Sequence, residues 1–155
     1  MLFRSNAMIS NRLALDNFDI DAFTIAGCGW TLDLNDPTLE SFKSSCSSSS
    51  SKNTVSIANG DFQHGSSGDH VIDGRNSHIT VGESSFTSST AGSSTEVAKA
   101  RTGTNIVLIE SDLNGNDCSD ANGDTGNCAY DVSGTTSNPS MIYLDRKSTR
   151  LNSSH

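Results

Sequence analysis

The sequence is poor in aromatic residues, in proline and in positive charge. Aromatic residues make up 6% of the 155 residues, hydrophobic residues make up 33%, and only 2 prolines are present. So little apolar material does not suit the thick core of a compact α/β enzyme. The formal net charge is -8, with 10 Lys and Arg against 18 Asp and Glu. Because proteins bind nucleic acids and anionic membranes through clustered Lys and Arg side chains, a net negative charge argues against both as partners.

Long apolar runs are also missing. The longest covers only residues 106–109, and no apolar region of secretory type follows Met1. We therefore expect neither a membrane span nor a signal peptide in these residues. Ser, Thr, Asn, Asp and Gly instead account for more than half of the chain. Such a composition is typical of disorder or of short strands joined by many tight turns.

The last eleven residues, 145–155, differ from the rest of the chain. They read DRKSTRLNSSH and carry three of the ten basic residues. The translation of a common short-read sequencing adapter gives the same eleven residues in one reading frame. We therefore predict that residues 145–155 are a non-native tail and that the sequon at Asn152 is not a glycosylation site. The native protein is then expected to continue beyond about residue 144, which makes this chain a fragment.

An internal repeat runs through the polar sequence. Residues 53–62, 77–86 and 104–113 align without gaps, and each has an aliphatic residue, a second one two positions later, and a large apolar residue five positions after that. The triplets are Val55, Ile57 and Phe62; Ile79, Val81 and Phe86; and Ile106, Leu108 and Leu113. A weaker repeat fits the same offsets at Phe23, Ile25 and Trp30. The alternation at period two predicts strands with one buried face rather than helices.

A second signal lies between these strands. Residues 70–75 align with residues 96–101, so each repeat contains at least two strands. The weak repeat precedes the first clear one by 32 residues, which indicates an insertion. Within it, Asp36 before Pro37 predicts a single helical turn over residues 36–40, and the serine run at 44–51 predicts a mobile loop.

The pattern of a polar residue, Ile-x-Val, four variable positions and Phe resembles the coils of right-handed parallel β-helix proteins. The resemblance is to the pectin-lyase-like type and especially to adhesin-like surface proteins. It covers residues 23–144 and leaves residues 1–22 as an N-terminal segment without an assigned structure. It implies an all-β solenoid of about four incomplete coils, in which equivalent positions stack into internal ladders. The ladders would be Val55, Ile79 and Ile106; Ile57, Val81 and Leu108; and Phe62, Phe86 and Leu113.

Four cysteines are present, at positions 28, 46, 118 and 128. An even count without a Cys-x-x-Cys spacing favours disulfides over a zinc site, and therefore an extracellular or cell-surface location. Cys118 and Cys128 flank one polar loop, and Cys28 is placed to pair with Cys46 across the inferred insertion. Four reduced thiols are the alternative.

The polar loop between the last two cysteines is rich in side-chain oxygens. Asp120-x-Asn122-x-Asp124, with Asp131 at the twelfth position, resembles a calcium-binding EF-hand loop. Thr125 occupies the position that needs Gly, and Asp131 is shorter than the bidentate Glu of that loop. Calcium is one interpretation and a solvated acidic turn is the other; no other cofactor is predicted. The full set of calcium ligand candidates is Asp112, Asn114, Asp120, Asn122, Asp124 and Asp131.

A group of charged residues falls on the second strand of the repeat. The alignment places Asp73 beside Lys99 and Arg75 beside Arg101, near His70 and Glu96. The outward positions of the first strand in the three clear repeats contain no carboxylate. The charged group could bind an anionic sugar, and a basic residue in it could abstract a proton next to a uronate carboxyl group. Its alternative interpretation is a set of ion pairs between coils on a solvated surface.

These observations predict a structural or adhesive module of a secreted or cell-surface protein, with no catalysis by this fragment. Its partner would be a carbohydrate or a cell-surface protein. The alternative is a fragment of a carbohydrate-active enzyme, a polysaccharide lyase or a glycoside hydrolase of the same fold, because several such enzymes share the fold that the sequence resembles.

Overall fold

The computed structural model describes residues 2–4, 11–64, 71–88, 96–115 and 129–145. These residues form thirteen strands and contain no helix, and none of the described elements is a helix that could span a membrane. The strands are β1 Leu2–Arg4, β2 Asn11–Ala26, β3 Trp30–Ser45, β4 Asn53–Ala58, β5 Asp61–His64, β6 Ile72–Arg75, β7 Ser77–Gly82, β8 Ser85–Ser88, β9 Glu96–Arg101, β10 Asn105–Ile109, β11 Asp112–Gly115, β12 Ala129–Ser133 and β13 Met141–Leu144. All of their strand pairings are parallel, and eight of the strands form a sheet that turns 319° round an axis.

The pairing arranges the chain into three columns of parallel strands. The first column contains the start of β2, the start of β3, then β4, β7, β10 and β13. The second contains the middle of β2 and β3, then β5, β8 and β11. The third contains β1, the ends of β2 and β3, then β6, β9 and β12. We call one pass of the chain through the three columns a circuit.

The predicted ladders of the first column are confirmed. Val55 pairs with Ile79, which pairs with Ile106, and the aliphatic residues two positions later pair in the same way. In the second column Phe62 pairs with Phe86, and both side chains are fully buried. Their rings stack with centroids 4.6 Å apart and planes 7° apart, close to the distance between neighbouring strands of a sheet. The third member, Leu113, lies in β11, which pairs with β8.

The weak first repeat was assigned to the wrong positions. Phe23 and Ile25 are buried in the third column, where Phe23 pairs with Phe42 rather than with a residue of the Val55 strand. The residues that precede Val55 and Phe62 in the ladders are Leu32 and Leu39. The circuit before that contributes Leu13 and Ile20. The true spacing is therefore 19 and then 23 residues, so the insertion inferred from the 32-residue spacing is not present.

The other expectations for this region change accordingly. Residues 36–40 lie within β3 rather than in a helical turn, because Asp36 has a φ of 51° and bends the chain between two columns. Pro37 follows the bend and pairs with Phe18. Ser44 and Ser45 belong to β3, so only residues 46–52 connect it to β4. The boundary predicted between residues 22 and 23 falls inside β2, and residues 146–155 of the predicted tail lie outside the described residues.

One backbone conformation recurs at every corner between the first and second columns. Five residues there have φ between 49° and 55°: Asn17, Asp36, Asn59, Glu83 and Glu110. At this corner the backbone N–H of Asn59 donates to Gly82 of the next circuit, and that of Glu83 donates to Ile109. Asparagine and aspartate adopt this left-handed conformation more readily than other non-glycine residues. Glutamate at the last two corners is therefore conformationally unfavourable.

Glu83→Asn is expected to stabilise the protein by up to about 1 kcal/mol, since asparagine tolerates the left-handed conformation better than glutamate does. The check is urea unfolding followed by the fluorescence of Trp30, the single tryptophan. Glu83→Ala is the control, because it removes the same charge while it keeps an unfavourable residue type at this φ. Equal stabilisation by both substitutions would show that the charge, rather than the backbone, is responsible.

Candidate functional site

The predicted charged group lies on the outer surface of the third column, across β3, β6 and β9. Lys43 pairs with Asp73, which pairs with Lys99, and in the next outward row Arg75 pairs with Arg101. The predicted neighbours, Asp73 with Lys99 and Arg75 with Arg101, are therefore confirmed. His70 lies outside the described residues, and only the backbone of Glu96 is described. We call the outer surface formed by Lys43, Asp73, Arg75, Lys99 and Arg101 the basic face.

Strand alternation explains why these side chains point outward. Ile72 and Gly74, on either side of Asp73, are fully buried. A Cβ atom on Gly74 would lie 2.6 Å from Cγ2 of Thr104 and 3.0 Å from Cδ1 of Ile79. Glycine at position 74 therefore lets β6 lie close to the first column. The preceding residue, Asp73, is consequently recessed in the outer surface.

Asp73 is held by a bidentate ion pair. The Arg101 guanidinium donates from Nε to Oδ1 over 2.8 Å and from Nη2 to Oδ2. Lys43 Nζ lies 3.9 Å from the same Oδ2. The Asp73 side chain is only 12% exposed, whereas those of Arg101 and Lys43 are 41% and 51% exposed. Two cations thus converge on one shielded carboxylate.

This geometry favours binding of an anion over proton transfer by Asp73. Both carboxylate oxygens already accept hydrogen bonds from Arg101, so neither is directed at a substrate position. The basic face carries four cationic side chains, including the exposed Arg75, and one carboxylate whose side chain is described; the strand register places a second carboxylate residue, Asp131, beside Lys99. A surface with excess positive charge can attract an anionic partner and orient it through charge-assisted hydrogen bonds.

A second polar cluster on the outer surface of the first column was missed by sequence reasoning. Arg12 Nη2 lies 2.9 Å from Oδ2 of Asp33, and Asn35 Nδ2 donates to Oδ1 of Asp16 over 2.7 Å. Asn59 Nδ2 in turn donates to Oδ1 of Asn35 over 3.0 Å. This cluster borders a shallow depression of about 350 Å³.

The signal for this cluster is present in the sequence. Leu13, Leu15 and Ile20, like Leu32, Leu34 and Leu39, follow the same offsets of two and five as the clear repeats. Aligning them would have added two rows to the outward positions of the first column, with Asp16 and Asp33 among them. The absence of outward carboxylates on the first column therefore holds only for the three clear repeats.

The calcium ligand candidates divide between two columns and a segment outside the described residues. Asp112 and Asn114 lie in β11 of the second column, and Asp131 lies in β12 of the third, where it pairs with Lys99. Asp120, Asn122 and Asp124 lie outside the described residues. Within the described part of the chain, no three His, Cys, Asp or Glu side chains gather in a way that could hold a metal ion. Calcium binding stays a prediction.

The predicted bond between Cys28 and Cys46 is present, with the Cα atoms 4.7 Å apart. Cys28 follows β2 and Cys46 follows β3, so the disulfide joins equivalent corners of consecutive circuits. The backbone N–H of Gly27 donates to the Ser45 carbonyl 3.0 Å away at the same corner. The second predicted pair, Cys118 and Cys128, lies outside the described residues.

Removing the Cys28–Cys46 bond through the double variant Cys28→Ala, Cys46→Ala is expected to lower the free energy of unfolding by about 3 kcal/mol, because the closed loop spans 18 positions. Alanine is preferred to serine because Cys46 is fully buried and a hydroxyl there would need a partner. Urea unfolding of both proteins without reductant measures the difference. A change below about 1 kcal/mol would contradict a stabilising role for the bond.

Comparison with known proteins gives no match: no protein-family model, no curated protein and no solved structure is significantly similar to this chain. Its function is therefore argued from the geometry of the described residues.

Proposed function

We propose that this chain is a right-handed parallel β-helix of the pectin-lyase-like type and that it serves as a rigid structural or adhesive module of a secreted or cell-surface protein. The observation that carries the proposal is the continuity of the core. The ladder Leu32, Val55, Ile79 and Ile106 is buried through four successive circuits. A stack in which each circuit packs on its two neighbours forms a rod with long lateral surfaces.

The lateral surfaces suit recognition by contact. On the first column the outward positions of the middle circuits carry small polar side chains such as Thr54, Ser56 and Thr80, all exposed. Hydroxyl groups on a regular parallel sheet offer donors and acceptors in fixed rows about 4.8 Å apart. Such rows can engage a carbohydrate or a protein surface without moving the backbone. The disulfide between Cys28 and Cys46 supports an oxidising, extracellular location.

Adhesion can be tested with the full chain coupled to beads. The beads are passed under flow over surfaces coated with cell-wall polysaccharides or with extracellular-matrix proteins. Beads that carry a folded acidic protein of similar size and net charge serve as the control. We expect longer retention of the β-helix beads on at least one surface, with no polysaccharide product released into the flow. Equal retention of both bead types on every surface would contradict the adhesive role.

A carbohydrate-active enzyme is the second candidate, and the basic face is the observation that favours it. Arg75 is exposed and lies one strand away from Arg101, so an anionic sugar could bridge the two guanidinium groups.

If the chain cleaves uronate polymers, Arg75→Ala is expected to lower kcat/KM about tenfold or more, since removing a charged contact to a buried or bound anion costs a few kcal/mol. Thr54→Ala on the first column is the matched surface control. Release of unsaturated uronate, followed by its ultraviolet absorbance, provides the measurement, and activity that Arg75→Ala leaves unchanged would remove the basic face as the active site.

A further inference from the structure

The charges of the described residues are sorted by column. The outer surface of the second column, together with the corner that leads to the third column, carries four carboxylates and, among the described residues, no Lys or Arg. Asp19 and Asp61 lie in the second column, Asp21 and Glu40 lie at that corner, and we call this combined surface the acidic face. The outer surface of the third column is the basic face defined above. Between the acidic carboxylates, hydroxyl residues occupy the same rows, as where Thr38 pairs with both Asp19 and Asp61.

We propose that copies of this chain associate side by side, with the acidic face of one copy against the basic face of the next. This goes beyond the proposed function, because it requires neither adhesion nor catalysis. Both complementary faces belong to the same chain, so every copy presents the same acidic face and the same basic face. Opposite charges on two extended surfaces select a partner and an orientation even where each exposed ion pair contributes little alone.

The two faces also match in spacing. Both are built from the same circuits, so their rows of side chains repeat at the same interval of about 4.8 Å along the axis. The acidic residues lie on β2, β3 and β5, whereas the basic residues lie on β3, β6 and β9. The acidic face thus begins one circuit earlier. Pairing the two faces row by row displaces each copy by about one strand spacing along the axis relative to its neighbour.

This displacement determines the kind of assembly. The contact joins two different surfaces, so a pair keeps an unoccupied basic face on one copy and an unoccupied acidic face on the other. A contact between different surfaces that includes a translation does not close into a ring and instead extends. The association is therefore open-ended, and the mean size grows with protein concentration.

The net charge of -8 opposes the association. How strongly it does so depends on the distance over which the charges of two copies repel each other. At about 0.1 M salt the screening length is about 10 Å. Pairs in direct contact across the interface lie well within that distance, so their attraction is screened less than the repulsion between charges that are farther apart. Asp73 and, by strand register, Asp131 offset part of the basic face. Reversing the charge of Arg75 and Lys99 changes the face without breaking the Asp73–Arg101 pair.

Sedimentation velocity of the full chain at about 0.1 M salt tests the proposal. The basic-face variant carries Arg75→Glu and Lys99→Glu, and the acidic-face variant carries Asp21→Lys and Glu40→Lys. Thr54→Lys with Thr80→Glu on the first column is the matched control. We expect concentration-dependent association of the wild type and the control, and association about tenfold weaker or worse for each face variant.

Mixing the two face variants provides a more specific test of the proposed contact. The basic-face variant keeps its acidic face, and the acidic-face variant keeps its basic face, so one native contact can form only between unlike molecules. We expect the equimolar mixture to form heterodimers, which also shows that both variants are folded. A wild type that stays monomeric at every concentration overturns the proposal. Face variants that associate as well as the wild type, or a mixture that stays monomeric while circular dichroism shows both variants folded, also overturn it.

Discussion

Replacing Phe86 with alanine is expected to lower the free energy of unfolding by about 3–5 kcal/mol, the usual cost of truncating a buried aromatic residue. Phe86 is 1% exposed and stacks on Phe62 of the preceding circuit, so the substitution removes both the burial and the ring contact. Whole domains are typically stable by only about 5–15 kcal/mol, so the variant retains little stability. Urea unfolding followed by Trp30 fluorescence and by circular dichroism measures the loss.

The position in the core can be separated from the aromatic character. Phe86→Leu keeps most of the volume and is expected to cost less than about 1.5 kcal/mol beyond the lost ring stacking. Thr54→Ala on the outer surface should stay within about 0.5 kcal/mol of the wild type. If Phe86→Ala costs no more than Thr54→Ala, the ladder through Phe62 and Phe86 does not stabilise the fold in solution.

The ladders of the later circuits could be predicted because each of their strands is short and is followed by polar residues. Val55 and Ile79 stand at the same place in two such strands, and period-two alternation specifies which face is buried. In the first two circuits, β2 and β3 each run through three columns as one continuous strand, and only two polar residues, Asp16–Asn17 or Asn35–Asp36, stand at the first corner. Only one left-handed residue, Asn17 or Asp36, marks the corner in them. A bend confined to one backbone angle leaves little trace in composition, so Phe23 was assigned to the wrong column.

For the charged group, the sequence predicts which strand positions are neighbours but not which side chains bind each other. The alignment of residues 70–75 with 96–101 identifies Asp73 as the neighbour of Lys99, and the strands pair in that way. The guanidinium that binds Asp73 nevertheless belongs to Arg101, whose Cα is one diagonal position away. A long side chain reaches diagonal partners as readily as direct ones, so the choice depends on rotamers and bidentate geometry rather than on spacing.

Asn76, at the corner between the third and first columns, gives the second large effect. It is 3% exposed and has a φ of 47°. Its Nδ2 donates to the Cys46 carbonyl over 2.9 Å, and its Oδ1 accepts from Asn138 Nδ2 at 2.9 Å. Its backbone N–H donates to the Thr102 carbonyl 3.0 Å away. One residue thus contacts the circuits on both sides.

Asn76→Ala is expected to lower the free energy of unfolding by about 2–4 kcal/mol. About 1–3 kcal/mol comes from leaving buried polar groups without the amide, and about 1 kcal/mol comes from placing alanine in the left-handed region. Asn76→Gly separates the two contributions, because glycine adopts this φ freely and loses only the amide contacts. Asn76→Asp retains the acceptor but replaces the donor facing Cys46 with a buried negative charge, so it should cost the most.

The order of the three variants is the decisive result. Unfolding free energies that fall from glycine to alanine to aspartate show that both the backbone conformation and the donated hydrogen bond stabilise the corner. If glycine and alanine cost the same, the left-handed conformation is not retained in the variants and the corner rearranges. Because Asn53 accepts at a neighbouring corner from the Trp30 backbone N–H over 3.0 Å, Asn53→Ala provides a comparison at an asparagine that is not at positive φ. Because the Asn53 amide makes three hydrogen bonds and the Asn76 amide makes two, Asn53→Ala should cost at least as much as the lost amide contacts of Asn76→Gly.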